Sequence, residues 1–288
     1  MKPENIFKIK VMNQDLIVNP LELSQTAKYL TKENIASLAP SVFSTKPSSD
    51  VSSKYTHIPT EKVIDDMEQL GWKPIEAKEV KARKNSTKGF QKHLLVFRNE
   101  DVVINGDDGD TVFPQILLTN SHDGKNSFQF QAGLYRMICS NGLVIADTQF
   151  EAVKMRHMGY TFEDLQIKIK EMVAKLPLTV ESMNKMKETI LEETEILSFA
   201  REAIATRFNK EELRRIEVDL KDLTFPIRKE DEGNDVWSVF NVVQEKLLTG
   251  DFNYRAGGKV RKAREVKNFK QDMLINKRLF DVALEYAS

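Results

Sequence analysis

The sequence predicts an α+β fold: an antiparallel β-meander with helices packed on one face and a helical C-terminal half. Three observations carry that expectation. Apolar residues alternate with a period of two from about Pro74 to Ile138, interrupted by turn formers. From Thr161 onward the apolar period lengthens to that of a helix. Hydrophobic residues make up 41% of the chain against 30% charged, enough apolar material for a core. Alternating strands need one covered face and amphipathic helices must bury theirs, so the two halves belong against each other. The expected organisation is an N-terminal segment and linker over 1–53, a helix plus antiparallel sheet over 54–160, and a helical part over 161–288 packed on the sheet within the same domain.

Taken in order, Phe7, Ile9 and Val11 alternate with Lys8 and Lys10 as a short strand, and a weak helix follows around Leu21–Leu38. The small polar residues of Ser41–Ser53 suggest an exposed loop or linker. Thr60 is placed to cap a helix bearing Val63, Ile64, Met67 and Leu70 and ended by Gly71. Two runs, from Ile75 and from Leu94, flank a basic turn and form a hairpin with a cationic tip. The acidic turn Asn105–Asp110 leads to a strand over Phe113–Thr119, and His122-Asp123-Gly124 turns it into Ser127–Ile138. Thr161 caps a helix that stops near Pro177, and one long helix is expected over Thr179–Phe208, its stripe of Met183, Met186, Ile190 and Leu197 serving bundle packing or self-association. Asp235 caps a further helix ended by Gly250; the tail opens as a Gly-containing basic loop and closes with a helix through Leu274, Phe280 and Leu284.

Composition narrows the function classes. With 43 Lys+Arg and 43 Asp+Glu in 288 residues the formal net charge is zero, which argues against a uniformly basic nucleic-acid coat and an acidic tail protein. No run approaches the roughly 18 apolar residues of a membrane span and no signal peptide opens the chain, so the expectation is a cytoplasmic protein with no membrane partner. One cysteine, Cys139, rules out an intramolecular disulfide, and the histidines at 57, 93, 122 and 157 show no metal-binding spacing. Neither a phosphate-binding Gly-Lys-Ser/Thr loop nor a Gly-x-Gly-x-x-Gly turn is present, and no cofactor is expected.

The most specific residues are Thr119-Asn120-Ser121-His122-Asp123-Gly124 and Gly133-Leu134-Tyr135-Arg136-Met137-Ile138-Cys139-Ser140-Asn141-Gly142-Leu143. With Ala39–Phe43, Tyr55–Thr60, Leu70-Gly71-Trp72, His93 and Val236–Asn241, they resemble a phage- and plasmid-borne family known as a domain of unknown function, the phage/plasmid-like proteins. That resemblance brings no settled activity. The order of elements, a helix ending in Gly71-Trp72, then a meander, then long helices, is similar to the annealing domains of phage single-strand annealing proteins of the Redβ, Erf and Sak groups. Such a likeness implies ring-forming proteins that hold single-stranded DNA in a basic groove.

Basic clusters fit that implication. Lys81, Arg83, Lys84 and Lys88 lie on the first hairpin, and Arg255, Lys259, Arg261, Lys262 and Arg264 crowd the tail with Tyr254 and Phe269 among them. Cations neutralise phosphates and aromatic faces stack unpaired bases; the plainer alternative is two solvated charged segments. Arg136 shares a strand face with Leu134 and Ile138, so it either meets a ligand or pairs with Asp123 or Asp147. Glu76-Ala77-Lys78 matches the carboxylate-x-lysine step of a metal-dependent nuclease, with Asp65 or Asp66 as a further ligand, although an ordinary charged strand gives the same triplet. Asp107, Asp108 and Asp110 form an acidic turn whose spacing departs from a calcium loop. A Cys139–His122 pair fails on distance, since the intervening strand holds them on the order of 35 Å apart. The expectation is therefore a homo-oligomeric, non-catalytic protein of a phage or mobile element acting on single-stranded DNA in replication or recombination. A metal-dependent DNA-processing enzyme and a factor antagonising a host protein are the alternatives.

Overall fold

The computed structural model describes residues 7–11, 29–53, 55–82, 87–106, 111–136, 142–143, 153–155 and 161–288. At its centre is strand β5 (Thr111–Asn120), every residue of which from Val112 onward is buried. On one side it pairs antiparallel with β3 (His93–Arg98) and, past a short interruption, with β4 (Val102–Gly106). Along its other side runs β6 (Phe128–Arg136), from Gln129 opposite Thr119 to Arg136 opposite Val112. Outside these, β2 (Lys73–Glu79) pairs with β3, β1 (Phe7–Val11) with β4, and the short β7 (Gly142–Leu143) and β8 (Val153–Met155) with β6. The expected meander is present, all antiparallel.

Register separates two faces. Leu95 and Phe97 line up with Leu118 and Ile116, and these with Phe130 and Ala132; all are buried in the main core. Helices α1 (Lys32–Leu38) and α2 (Thr60–Gln69) supply Ile35, Val63, Ile64 and Met67 to the same core. The alternate residues Leu94, Val96 and Leu117 form a separate small cluster with Ile75 and with Met273 of the last helix. The last helix thus also shields this second cluster through Met273, because a face that carries leucine and valine must be kept from water.

The C-terminal half is a bundle of α3 (Phe162–Ala174), α4 (Leu176–Glu188), α5 (Glu193–Arg207), α6 (Lys210–Leu213), α7 (Leu220–Thr224), α8 (Val236–Thr249) and α9 (Phe269–Tyr286). Thr161 and Asp235 cap α3 and α8 as their positions suggest, accepting from Asp164 N at 3.1 Å and Ser238 N at 2.9 Å. Helix α3 stops at Ala174, close to Pro177 as expected, and Pro177 itself sits in the first turn of α4, where a missing N–H costs nothing. Helix α8 is the axis of the bundle, its Phe240 meeting Phe280 of α9 edge-on at 6.0 Å. Buried residues of α3, α4, α5, α8 and α9 join the same core as the sheet.

Three local expectations change. The single long helix over Thr179–Phe208 is two helices, broken at Thr189–Glu192. There Leu191 N donates to Asn234 O (2.8 Å) and Val236 N to Thr189 O (3.0 Å), while Glu195 caps α5 through Glu192 N at 2.8 Å. Tertiary hydrogen bonds outweigh the helical periodicity at that point, and Met183 and Met186 are fully buried in the core rather than forming an outer seam. The basic tail is not a loop: β10 (Asn253–Ala256) and β11 (Lys259–Lys262) form a hairpin, joined by β9 (Ile216–Val218) in a separate three-stranded sheet. The serine-rich stretch 41–53 folds back onto the body, with Ser41, Val42 and Ser48 buried and Ser48 N donating to His122 O at 2.8 Å.

Gly250 closes α8 in the left-handed region at φ +78°, and a Cβ there would lie 2.5 Å from the backbone carbon of Arg264. Both the conformation and the contact with main chain require glycine. Gly250→Ala should lower unfolding free energy by more than about 1 kcal/mol, measured by urea denaturation; an unchanged midpoint would show that the 264 backbone moves freely.

Candidate functional site

Two arrangements of chemistry-bearing residues emerge. The first is buried. His57 precedes α2, Thr60 opens it, His93 begins β3, Asn120 ends β5 and His122 lies just beyond it; the strand register brings His93 opposite Asn120. Thr60, expected to cap α2, instead turns its hydroxyl inward, and Pro59 occupies the cap position. Thr60 Oγ1 lies 2.9 Å from His93 Nε2, 3.4 Å from His122 Nε2 and 3.0 Å from Asn120 Nδ2. On the other side of the ring His93 Nδ1 is 3.1 Å from Gln91 O and 3.0 Å from Ser41 Oγ. The consistent assignment has His93 neutral with its proton on Nδ1, Thr60 donating to His93 Nε2, and Thr60 accepting from Asn120 Nδ2 and His122 Nε2–H.

Glu79 and Gln91 extend this network, Glu79 accepting from Ser41 N (3.0 Å) and from Gln91 Nε2 (3.2 Å). Ser121 and Tyr55 close its rim: Tyr55 OH donates to Ser121 O at 3.1 Å, and Ser121 Oγ to Asp123 at 2.8 Å. The imidazole of His122 packs 4.6 Å from that of His57 and 5.2 Å from that of His93, ring centre to ring centre. Ser41, Thr60, His93, Asn120 and His122 each have no solvent exposure. A Ser41–His93 pair has the composition of a nucleophile and base, but burial pushes the His93 pKa down to about 4, and neither group reaches solvent. Among the described residues no group of three or more His, Cys, Asp or Glu is arranged to hold a metal ion, these histidines included. The cluster fastens the 41–60 segment to the end of the sheet.

The second arrangement is exposed. Gly257 and Gly258 both take positive φ (+56° and +75°), as a two-residue type I′ hairpin turn requires, so these glycines shape the turn rather than a ligand contact. Register puts Arg255 and Lys262 on one face of the β10–β11 hairpin and Lys259 and Arg261 on the other, with Arg264 just beyond; all five side chains are exposed. Lys262 pairs with Asp251 at 2.7 Å, a solvent-exposed bridge of little stability value. Arg255, Lys259, Arg261 and Arg264 form no ion pair among the described residues. Arg228 shows the contrast: Glu245 holds it with both oxygens at 2.5 Å, and Asp231 adds a contact at 3.2 Å.

Two further cations, missed in the sequence, belong with the hairpin. Arg214 and Arg215 are exposed, form no ion pair among the described residues, and precede β9, whose first residue Ile216 pairs with Ala256 beside the turn. They sit some forty positions upstream, and only the β9–β10 pairing brings them to the turn. Tyr254 packs at 6.2 Å from Phe208, so its ring serves the core as well as the surface.

The remaining candidates lie elsewhere. Lys81 and Lys88 are exposed on the β2–β3 hairpin of the large sheet; Arg83 and Lys84 fall outside the described residues, as do Asp107, Asp108, Asp110, Cys139 and Asp147. Arg136 is opposite Val112 in the register, at the far end of β5 from Asp123, roughly eight residues or about 26 Å along the strand. Glu76 and Lys78 pair with each other, while Asp65 pairs with Lys32 (2.7 Å) and Asp66 with Lys62 (2.6 Å). Asp272 of α9 comes within electrostatic reach of Glu76 and Lys78, and burial pushes its pKa up to about 6.

The two shifted groups act oppositely on stability. His93, depressed from 6.5, is proton-free in the folded state, so its contribution is complete above pH 6.5 and is lost as pH falls towards 4, by about 3 kcal/mol in order of magnitude. Asp272, raised from 3.8, favours the folded state at low pH and loses that contribution as pH rises through 6. The His93 effect is therefore read as a difference: the stability gap between wild type and His93→Gln should narrow between pH 6.5 and 4, measured by urea denaturation across that range. A gap independent of pH would show that His93 titrates normally.

Residues 47–280 match the family model described as "Domain of unknown function (DUF932)". The chain is 30% identical over 255 residues to the UPF0380 protein YafZ of Escherichia coli (strain K12) and 30% identical over 256 residues to the UPF0380 protein YfjQ of the same organism. Each alignment covers 88% of this chain and 90% of the relative. No solved structure matches. Ser41, His57, Thr60, His93, Asn120 and His122 all fall in the segments that carry the family resemblance, and the matched span takes in both the buried histidine cluster and the basic hairpin: the chain belongs to the DUF932 family.

Proposed function

We propose that the chain is a single-strand-binding protein of a phage or other mobile element, acting without catalysis in the host cytoplasm in annealing-type steps of replication or recombination. The observation that carries this reading is the β10–β11 hairpin. Arg255, Lys259, Arg261 and Arg264, joined by Arg214 and Arg215, stand in solvent with no carboxylate partner among the described residues, in a chain whose net charge is zero. Unpaired cations exposed on this hairpin of the small sheet are available to phosphates, and each phosphate neutralised releases counterions. Cations spread over both faces of the hairpin and its flanks suit a flexible strand better than a rigid duplex. The order of elements, similar to that of annealing domains, supports the same reading. Self-association rests on that resemblance alone, since Met183 and Met186 lie inside the core.

Fluorescence anisotropy with labelled single and double strands at several salt concentrations is the direct measurement. Single strands should bind more tightly than about 10⁻⁴ M, with affinity falling as salt rises. Lys259→Gln with Arg261→Gln should reduce the slope of log affinity against log salt by about 0.7 for each contact removed, with the protein still folded. The same treatment of Arg83 and Lys84 tests whether the first hairpin shares the surface. If both double variants fold and bind with unchanged affinity and slope, the reading is wrong.

A further inference from the structure

Beside the basic hairpin lies a cleft of about 860 Å³, within the range of small-molecule sites. Leu197 of α5, Leu220 of α7 and Val260 of the hairpin give its lining apolar character, while Val218 and Tyr254, also at its edge, lie on the opposite sheet face from Val260 and pack towards the core. Val260 is 64% exposed, in a strand whose other residues are charged or hydrogen-bonding. Four charged side chains also line the cleft, two of each sign: Lys221, Arg255, Glu217 and Asp219. Asp219 is occupied in capping α7, accepting from Lys221 N at 3.1 Å and Asp222 N at 3.2 Å, and Lys221 Nζ pairs with Glu193 at 3.3 Å. Arg255 and Glu217 remain, opposite each other in the β9–β10 register with Val260 next to Arg255 on β11. Neither forms an ion pair among the described residues.

We infer that this cleft seats unstacked nucleobases that carry an exocyclic amino group, while the phosphates run along the cations outside it. The inference rests on the single-strand reading above and specifies what the strand presents. Each cation of the lining has a carboxylate beside it, Lys221 with Glu193 and Arg255 opposite Glu217, which disfavours a phosphate inside, whereas the apolar side chains of Leu197, Leu220 and Val260 accept the faces of bases. Glu217 accepts hydrogen bonds and donates none, so it matches the N4 amino group of cytosine; an unpaired thymine offers it only N3–H, flanked on both sides by carbonyl oxygens that repel a carboxylate. Arg255, one strand across, is placed to stack on a base or to hold the adjoining phosphate.

The test compares labelled oligo-dC, oligo-dT and an abasic deoxyribose-phosphate strand of equal length by anisotropy at one salt concentration, with each salt slope measured. Oligo-dC should bind about tenfold or more tighter than the abasic strand and several-fold tighter than oligo-dT. Equal binding of dC and abasic strands overturns the cleft while a persisting salt slope leaves the phosphate reading standing; failure of all three strands to bind overturns both. Equal dC and dT affinities overturn the selection for an amino group. Glu217→Gln, which presents a donor as well as an acceptor, should bring dC and dT together without closing the gap to the abasic strand, and a preference for dC that survives it removes Glu217 from the site. An oligo-rC strand run alongside decides the sugar: markedly tighter binding there keeps the cleft and reassigns the strand to RNA.

Discussion

A buried hydroxyl has one proton to give and two lone pairs to fill, and Thr60 uses all three. Its partners come from two separate parts of the chain: His93 at the start of β3, and Asn120 and His122 at and just past the end of β5. Leaving any of these groups unpaired in the interior would cost about 1–3 kcal/mol, so the network accepts few alternative arrangements. That demand accounts for the path of the 41–60 segment. Ser41 must reach His93, Ser48 must meet the His122 carbonyl, and α2 must begin where Thr60 can face inward. The hydrophobic face of α2 is thereby brought into the main core that also holds Leu95 and Leu118.

Charge segregation explains how a neutral chain presents a basic hairpin. Many acidic side chains of the helical half are engaged locally: Asp164, Asp219 and Asp235 at helix starts, Glu195 in a capping box, Glu245 and Asp231 around Arg228. Carboxylates bound to N-terminal amides lie near the positive ends of helix dipoles and are not free to neutralise distant cations. The hairpin is left with its charge exposed. Overall charge therefore says little about this surface, because the opposing signs occupy different structural roles.

The residues that carry the family resemblance and the residues proposed to contact nucleic acid occupy different places. His57, Thr60, His93, Asn120 and His122 form the fastener at one end of the large sheet; Arg255, Lys259, Arg261 and Arg264 stand on a second, smaller sheet. The Asn-Ser-His-Asp-Gly stretch is thus explained by architecture: Asn120 and His122 reach inward, Ser121 and Asp123 satisfy the turn, and Gly124 takes a positive φ of +70°. A signature of this kind identifies a fold that needs a buried polar joint, and it leaves the surface chemistry to other residues.

Local patterns in the sequence were sufficient for the class of fold, the antiparallel strands, the caps at Thr161 and Asp235 and the glycine stop at Gly250, because each is set by neighbours a few residues apart. The cationic character of the tail was equally plain. Its conformation was not, since pairing with β9, some forty residues upstream, turns a loop into a sheet and draws Arg214 and Arg215 to it. The same limit hid the break at Thr189–Glu192, where bonds to Asn234 and Val236 override a continuous helical stripe and enclose Met183 and Met186. It also hid the histidine cluster: positions 57, 93 and 122 have no informative spacing, and Thr60 reads as a cap until the sheet register places His93 opposite Asn120. Periodicity and capping are short-range and survive in one dimension, whereas the partner of a buried polar group is chosen by which strands lie side by side, and only the tertiary structure decides that.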